Sequence, residues 1–120
     1  MNEGPTKGRM IAPGEALALS SLVIPTAHGI ASRILAKTPG GNVTLFAFDA
    51  GEALTEHSSP FEALAFVIEG ACTFTVGGTE ARATAGTVVR LPADVPHALE
   101  ANESTRLLLI MLRTTEPRTG

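Results

Sequence analysis

The stretch from Gly51 to Ala101 reads GEALTEHSSPFEALAFVIEGACTFTVGGTEARATAGTVVRLPADVPHALEA, and it carries the clearest pattern in the chain. Short apolar runs alternate with turn residues along it, and no part sustains the period of about 3.6 residues that marks an amphipathic helix. Short strands separated by frequent turn signals are typical of an all-β sandwich or barrel. The stretch therefore predicts an all-β domain with little helix.

Nine predicted strands extend this pattern to both sides. They cover 30–36, 42–49, 53–58, 63–69, 71–76, 79–84, 87–91, 97–101 and 104–113. Gly77 and Gly78 provide the positive φ that a two-residue hairpin turn requires. Pro92 and Pro96 flank a connection whose ends cannot donate ladder hydrogen bonds. Before the first strand, residues 14–24 are compatible with a short helix or with an edge strand.

Some of the predicted strands are apolar on both faces. They are the strands at 43–48, 63–68 and 107–112. Such a strand needs the barrel interior on one side and a second apolar surface on the other. The chain has too few residues for covering helices, so a partner subunit is expected, in a homodimer formed through 42–49 or 104–113. The alternative cover is the N-terminal segment 14–24.

The composition indicates one globular domain. The 120 residues suit a single domain, which we place at 14–113 between flexible segments at 1–13 and 114–120. The net charge of -3 and the scattered basic residues argue against nucleic acid or an anionic membrane as partner. No apolar run approaches the ~18 residues of a membrane span, and none resembles a signal peptide, so a cytoplasmic location is expected. The single cysteine, Cys72, is expected to be a small core residue.

Two motifs in the chain resemble those of the cupin superfamily, G-x5-H-x-H-x3-E-x6-G and G-x5-P-x-G-x2-H-x3-N. They fall at 51–70 and 86–101, where the glycine, proline and histidine spacings fit without an insertion. Between Gly70 and Gly86 there is room only for one hairpin, as in small bacterial cupins. The resemblance covers 42–113 and implies an antiparallel double-stranded β-helix, the jelly-roll barrel of RmlC-like proteins.

The resemblance also implies a metal site that this chain keeps only in part. In the family, three histidines and one glutamate hold a divalent metal such as Zn, Ni, Fe or Mn inside the barrel. His57 and His97 match two of the histidines, whereas Ser59 and Ala63 replace the third histidine and the glutamate, and Ala101 replaces the final asparagine. A neutral hydroxyl is a poor ligand, and the lost carboxylate no longer offsets the metal charge. Weak metal binding, or none, is expected.

Glu62 stands beside the lost glutamate position and is the candidate third ligand. A β-bulge near Ser59 and Pro60 would shift the strand by one residue and turn Glu62 inward. Without a metal, His57 and His97 are either interior histidines satisfied by hydrogen bonds or functional groups. In the second case they orient a ligand, or one acts as a general base, which makes them the candidate catalytic residues.

A small, mainly apolar pocket is expected around these histidines. The side chains in phase to line it are His57, Ser59, Ala63, Ala65, Val67, His97, Leu99, Met111 and one of Phe46 or Phe48. This lining favours a small ligand with an apolar body and one or two polar atoms. Phosphates and polycarboxylates are disfavoured unless Arg33 or Arg90 faces inward. The third histidine, His28, is expected in an exposed loop.

Three functions are compatible with these residues. The first is binding of a small molecule, with weak metal binding or none. The second is a metal-dependent enzyme of the dioxygenase, isomerase or decarboxylase type found among cupins. The third is a non-catalytic dimeric barrel with a degenerate site. Cupin-type sugar epimerases use a tyrosine as acid, and this chain contains neither tyrosine nor tryptophan, which excludes that chemistry.

Overall fold

The computed structural model describes residues 10–114, and nine strands with one short helix make up its regular structure. In chain order these are α1 (Leu19–Leu22), β1 (Ile30–Thr38), β2 (Gly41–Phe48), β3 (Ala53–His57), β4 (Phe61–Glu69), β5 (Ala71–Val76), β6 (Thr79–Thr84), β7 (Val88–Leu91), β8 (His97–Ala101) and β9 (Thr105–Arg113). Each of the nine predicted strands is present, with ends that differ from the prediction by at most two residues. The all-β prediction is confirmed.

The strands form two antiparallel sheets that face each other. One sheet has five strands in the order β1-β2-β9-β4-β7, and the other has four in the order β3-β8-β5-β6. Both sheets also pair strands that are distant in sequence, such as β2 and β9, where Gly41 lies opposite Leu112. This is the two-sheet barrel that the motifs imply.

The connection between β5 and β6 follows the turn chemistry of the sequence. Val76 pairs with Thr79, and φ is 56° at Gly77 and 86° at Gly78. Positive φ at both central residues matches the twist of the flanking strands, which is why glycine is favoured at both positions. The predicted two-residue hairpin is confirmed.

The core between the sheets consists of inward-facing side chains of both. Its fully buried members include Phe48, Val67 and Cys72. In β6, Ala83 is buried in this core while Arg82 and Thr84 are exposed, so that strand has one wet face, as its alternation predicts. Among residues 10–114, no helix has the length and apolar character needed to cross a membrane.

A second apolar cluster lies on the outer face of the five-stranded sheet. It joins Leu35, Leu45 and Ala47 to Val23 of the N-terminal segment, and all four are buried. Arg106 on β9 donates a hydrogen bond from Nε to the carbonyl oxygen of Val23 at 3.0 Å, which ties the segment to the sheet. The N-terminal segment therefore covers this half of the outer face. The sequence predicted this segment as the alternative to a partner subunit.

Residues 14–24 were compatible with a short helix or an edge strand, and they contain a single helical turn, α1. The remainder of that segment has no regular structure, apart from turns. The predicted flexible ends, 1–13 and 114–120, fall largely outside the described residues.

Candidate functional site

The two motif histidines lie side by side on adjacent strands of the four-stranded sheet. His57 ends β3 and His97 begins β8, and their Cα atoms are register partners. The imidazole centroids are 4.5 Å apart, with 69° between the ring planes, an edge-to-face contact. The pairing of β3 with β8 is irregular between Leu54 and His57, so β3 is locally distorted just before His57. Sequence positions forty residues apart thus form one polar group.

Main-chain carbonyl groups two residues upstream hold both imidazoles. Nδ1 of His57 is 2.9 Å from the carbonyl oxygen of Thr55, and Nδ1 of His97 is 3.2 Å from that of Val95. A carbonyl oxygen can only accept, so Nδ1 carries the hydrogen in both rings. In a neutral imidazole the other nitrogen, Nε2, is then a bare acceptor. The same main-chain contact fixes the orientation and the tautomer of each histidine.

The two histidines differ in their exposure to water. His57 is exposed, whereas His97 is half-buried. Desolvation lowers the pKa of His97, and the neighbouring His57 lowers it further, against the raising effect of the hydrogen bond to Val95. His97 is therefore disposed to stay neutral near physiological pH, with Nε2 able to accept a hydrogen bond.

A cavity of about 60 Å³ lies between the sheets next to this pair. Its lining consists of Phe46, Phe48, Leu54, His57, Ala65, Phe74, Leu91, His97, Ala98, Leu99, Leu107 and Leu109. Only the two imidazoles among these side chains are polar. The exposed His57 places the polar group at the mouth of the cavity, and the buried Phe48 and Phe74 form its apolar interior.

The structure brings together part of the predicted pocket. His57, His97, Ala65 and Leu99 line the cavity, and so do both Phe46 and Phe48, because residues two apart on a strand share a face. The other predicted lining residues, Ser59, Ala63, Val67 and Met111, do not. Ala63 and Val67 face inward but lie in the packed core, with Met111 against it. Ser59 precedes β4, where its Oγ accepts a hydrogen bond from the N–H of Phe61.

Several lining residues were absent from the sequence-based prediction: Leu54, Phe74, Leu91, Ala98, Leu107 and Leu109. One signal could have identified Phe74, since Cys72 and Phe74 form the buried face of β5 and Phe74 pairs with Leu99. The strand β9 shows no comparable signal, because it is apolar on both faces. Phase alone does not say which of its leucines reach the cavity.

The carboxylate of Glu62 does not reach the histidines, so the predicted inward turn is wrong. Glu62 forms an ion pair with Arg90 and accepts a hydrogen bond from the N–H of Ala93 at 3.3 Å. The hydrogen bond from Arg90, with a smaller effect of Ala93, lowers the pKa of Glu62. Ala63 keeps the inward position opposite Met111, and the β4–β9 register runs without a break from Phe61 to Val67. The bulge needed to turn Glu62 inward is not present.

A resident divalent metal does not fit this donor set. Within residues 10–114, no group of three or more histidine, cysteine, aspartate or glutamate side chains is placed to hold an ion. Two neutral imidazoles supply neither the usual three protein ligands nor a balancing negative charge. The remaining cavity wall is hydrocarbon.

The other singled-out residues lie away from the cavity. Arg33 donates from Nη1 to the carbonyl oxygen of Leu22 at 3.4 Å, under the N-terminal segment. Arg90 is held by Glu62, and among residues 10–114 no cationic side chain lines the cavity. His28 is exposed in a turn, as predicted. Cys72 is fully buried, and burial raises the pKa of its thiol to about 11, in keeping with a core residue.

The chain is similar to a known protein family and to several solved structures. A family model described as the cupin domain matches residues 44–112. A conserved protein of unknown function from Streptococcus pyogenes has a similar structure, with 28% identity and a TM-score of 0.83, over 90% of this chain and 95% of that one. A cupin 2 conserved barrel domain protein from Leptotrichia buccalis is 33% identical with a TM-score of 0.72, over 76% of this chain and 44% of that one.

A further solved structure is an enzyme. Salicylate 1,2-dioxygenase from Pseudoaminobacter salicylatoxidans has a TM-score of 0.65 at 19% identity, over 69% of this chain and 25% of that one. At this identity the likeness concerns the fold alone. No curated protein matches the chain. Because the family model spans more than half of the sequence, and both the motif spacings and the two-sheet barrel agree with it, this chain belongs to the cupin family.

Proposed function

We propose that the chain binds a small, mainly apolar molecule between its two sheets and needs no resident metal to do so. The observation that carries this proposal is the lining of the cavity, where His57 and His97 are the only polar side chains contributed by residues 10–114. Ligand sites commonly combine an apolar wall with a few polar groups that orient the ligand. Here the two polar groups are adjacent and lie on one side.

The size of the cavity limits the ligand. About 60 Å³ accommodates a body of a few carbon atoms, and a larger molecule would extend past the histidines into water. Each buried CH₂ contributes roughly 0.8 kcal/mol, so such a ligand is held mainly by the removal of its hydrocarbon from water. Affinities in the micromolar to millimolar range are expected for fragments of this size.

The charge of the lining limits the ligand further. Within the part of the chain that the structure describes, no lysine or arginine lines the cavity, and Arg33 and Arg90 are engaged elsewhere. A phosphate or polycarboxylate would lose its hydration without gaining a cationic partner. Neutral ligands are therefore favoured over anionic ones.

The site also weighs against the metal-dependent enzyme. That alternative needs a third and a fourth ligand, and the positions that supply them in other cupins carry Ser59 and Ala63 in this chain. An imidazole can act as a general base, but among residues 10–114 no titratable group other than the two histidines lines the cavity. Binding accounts for the arrangement with fewer additional groups than catalysis does.

Metal analysis and a ligand titration on protein without a histidine tag test the proposal together. We expect less than about one-tenth equivalent of Zn, Ni, Fe or Mn per chain. We also expect cyclopentanol to shift the methyl NMR signals of Leu99 and Leu107, with or without a chelator. His28→Asn, a change to a histidine outside the cavity, is the matched control.

Two outcomes contradict the proposal. A stoichiometric metal that is lost in His57→Ala and kept in His28→Asn would favour the metal-dependent enzyme. Methyl signals that do not move with cyclopentanol, even near its solubility limit, would favour the barrel with a degenerate site.

A further inference from the structure

The hydrogen-bonding capacity of the cavity is one-sided. Both Nδ1–H groups are used by the carbonyl oxygens of Thr55 and Val95. What remains of each neutral ring for a ligand is Nε2, which can only accept. Two acceptors thus lie on rings whose centroids are 4.5 Å apart.

No other lining side chain changes this balance. The ten remaining side chains that line the cavity are phenylalanine, leucine and alanine, which neither donate nor accept. Ser59, the one hydroxyl that the motif places near the histidines, lies outside the lining and accepts from the N–H of Phe61. Since no other lining side chain among residues 10–114 has a hydrogen to donate, the Nε2 atoms are left to accept from the ligand or from water.

We propose that the cavity selects molecules that donate hydrogen bonds, namely alcohols, phenols and primary amides, over molecules of the same shape that only accept, such as ketones, ethers and carboxylates. This inference rests on the proposed function, since it names the polar group of the ligand that the cavity binds.

The discrimination has two physical sources. A hydroxyl hydrogen directed at Nε2 replaces the hydrogen bond from water that the ligand displaces. A carbonyl or carboxylate oxygen at the same place faces a bare nitrogen lone pair, and both acceptors then lose their water without compensation. For a carboxylate the loss is larger, because its charge is desolvated as well.

The position of the donor within the ligand follows from the geometry of the site. His57 is exposed and His97 is half-buried, whereas Phe48 and Leu107 are buried. The hydrocarbon end therefore enters first, and the donor remains at the mouth beside the imidazoles. A group with two hydrogens, such as a primary amide nitrogen, can serve both rings.

Cyclopentanol and cyclopentanone test the proposal, because they share a ring and a size and differ in the donor. The titration is carried out at about pH 8, above the ordinary pKa of histidine. We expect cyclopentanol to bind about three- to tenfold more tightly than cyclopentanone, the range that one net hydrogen bond provides. The measurement is a titration followed by the leucine methyl signals, and cyclopentanecarboxylate should bind least.

A second measurement tests the premise directly. Long-range ¹H–¹⁵N correlation spectra distinguish the two tautomers, and they should show a protonated Nδ1 and a bare Nε2 in both His57 and His97. In His97→Ala the preference for the alcohol should shrink towards equality, whereas His28→Asn should keep it.

The outcomes separate the two proposals. Binding of both ring compounds with equal affinity, tighter binding of the ketone, or a protonated Nε2 would overturn the donor preference and leave ligand binding intact. If neither compound binds, both proposals fail.

Discussion

The two faces of the five-stranded sheet are both apolar, yet they are covered in different ways. The inner face packs against the other sheet, where Val67 and Leu107 are buried, and it leaves one cavity with a polar mouth. The outer face is covered by the N-terminal segment over Leu45 and Ala47 and is exposed at Leu112. The inner face is thus completed within the barrel, whereas the outer face is completed only in part.

The difference shows what a two-faced strand can and cannot say about its surroundings. Apolar residues on both faces require that both be covered, but they do not identify the cover. On the inner face it is the partner sheet. On the outer face the cover is the N-terminal segment, which has little regular structure. Its apolar contacts with the sheet come from Val23, Leu19 and Leu22. Each place where cover is missing is a place where another molecule can bind.

The largest effect is expected from substitution under the N-terminal segment. Leu45 is 0% exposed in the outer cluster, and Leu112 on the same face is 47% exposed. Leu45→Ala should reduce the free energy of unfolding by about 2–5 kcal/mol, as for other buried leucines. The matched change Leu112→Ala should cost less than about 1 kcal/mol. Urea unfolding at low protein concentration measures both, and equal small losses would mean that the segment does not cover this face.

The next effect concerns the uncovered half of the outer face. Alternation places Leu64, Phe66, Ile110 and Leu112 on it, with Leu64 paired to Ile110 and Val88 exposed beside Phe66. We propose that a second copy of the chain binds here in a mainly apolar homodimer of the order of 1,500 Å². Leu112→Lys should weaken the dimer by at least about tenfold in sedimentation equilibrium.

Thr79→Lys, on the exposed β5–β6 hairpin of the other sheet, is the control for the added charge. A monomer at tens of micromolar would contradict the dimer. It would also show that the uncovered half remains exposed to water.

A smaller effect is expected at the mouth of the cavity. His57 is exposed, and within residues 10–114 its imidazole forms a hydrogen bond only with the carbonyl oxygen of Thr55. His57→Ala should therefore change the free energy of unfolding by no more than about 1 kcal/mol. Differential scanning calorimetry tests this, and a much larger loss would mean that the pair is part of the structural core.

The smallest effect is a dependence on pH from His97. Burial lowers its pKa, so the unfolded chain binds this proton more readily than the folded one. The free energy of unfolding should therefore fall as the pH drops through about 6.5 and should level off below the folded-state pKa. In His97→Gln this part of the decrease should vanish.

Glu62→Gln is the matched control for the pH experiment. The pKa of Glu62 is lowered by Arg90, so its contribution is lost only as the pH falls below the usual carboxyl range near 4. A wild-type curve that is flat between pH 7 and about 5, and identical to that of His97→Gln, would contradict the prediction.

Much of the fold could be predicted from the sequence, because short-range rules determine it. Gly77 and Gly78 required positive φ, and both have it. The strand ends followed from the turn residues. The proximity of His57 and His97 followed from the resemblance to the cupin motifs, and the β3–β8 register realises it.

The lining of the cavity could be predicted only in part, because alternation states which side a residue faces and not how far along the barrel it lies. Ala63 and Val67 face inward as expected, yet they lie in packed core rather than beside the open space. The prediction that Glu62 turns inward was wrong for a related reason. The irregularity near the site falls between Leu54 and His57, before the predicted bulge, and leaves the phase of β4 unchanged. Such local distortions have no glycine signal in this sequence.

The place of β9 in the five-stranded sheet determines when the protein can finish folding. β9 lies between β2 and β4, and its residues Thr105 and Leu112 pair with Phe48 and Gly41. During synthesis, β2 therefore lacks its partner β9 until more than fifty further residues have been added. Until residue 112 has left the ribosome, β2 presents an unpaired edge that favours contacts with other chains. Pairings so distant in sequence also slow folding. This cupin is expected to complete its barrel only once β9 has left the ribosome, with its aggregation risk highest just before that step.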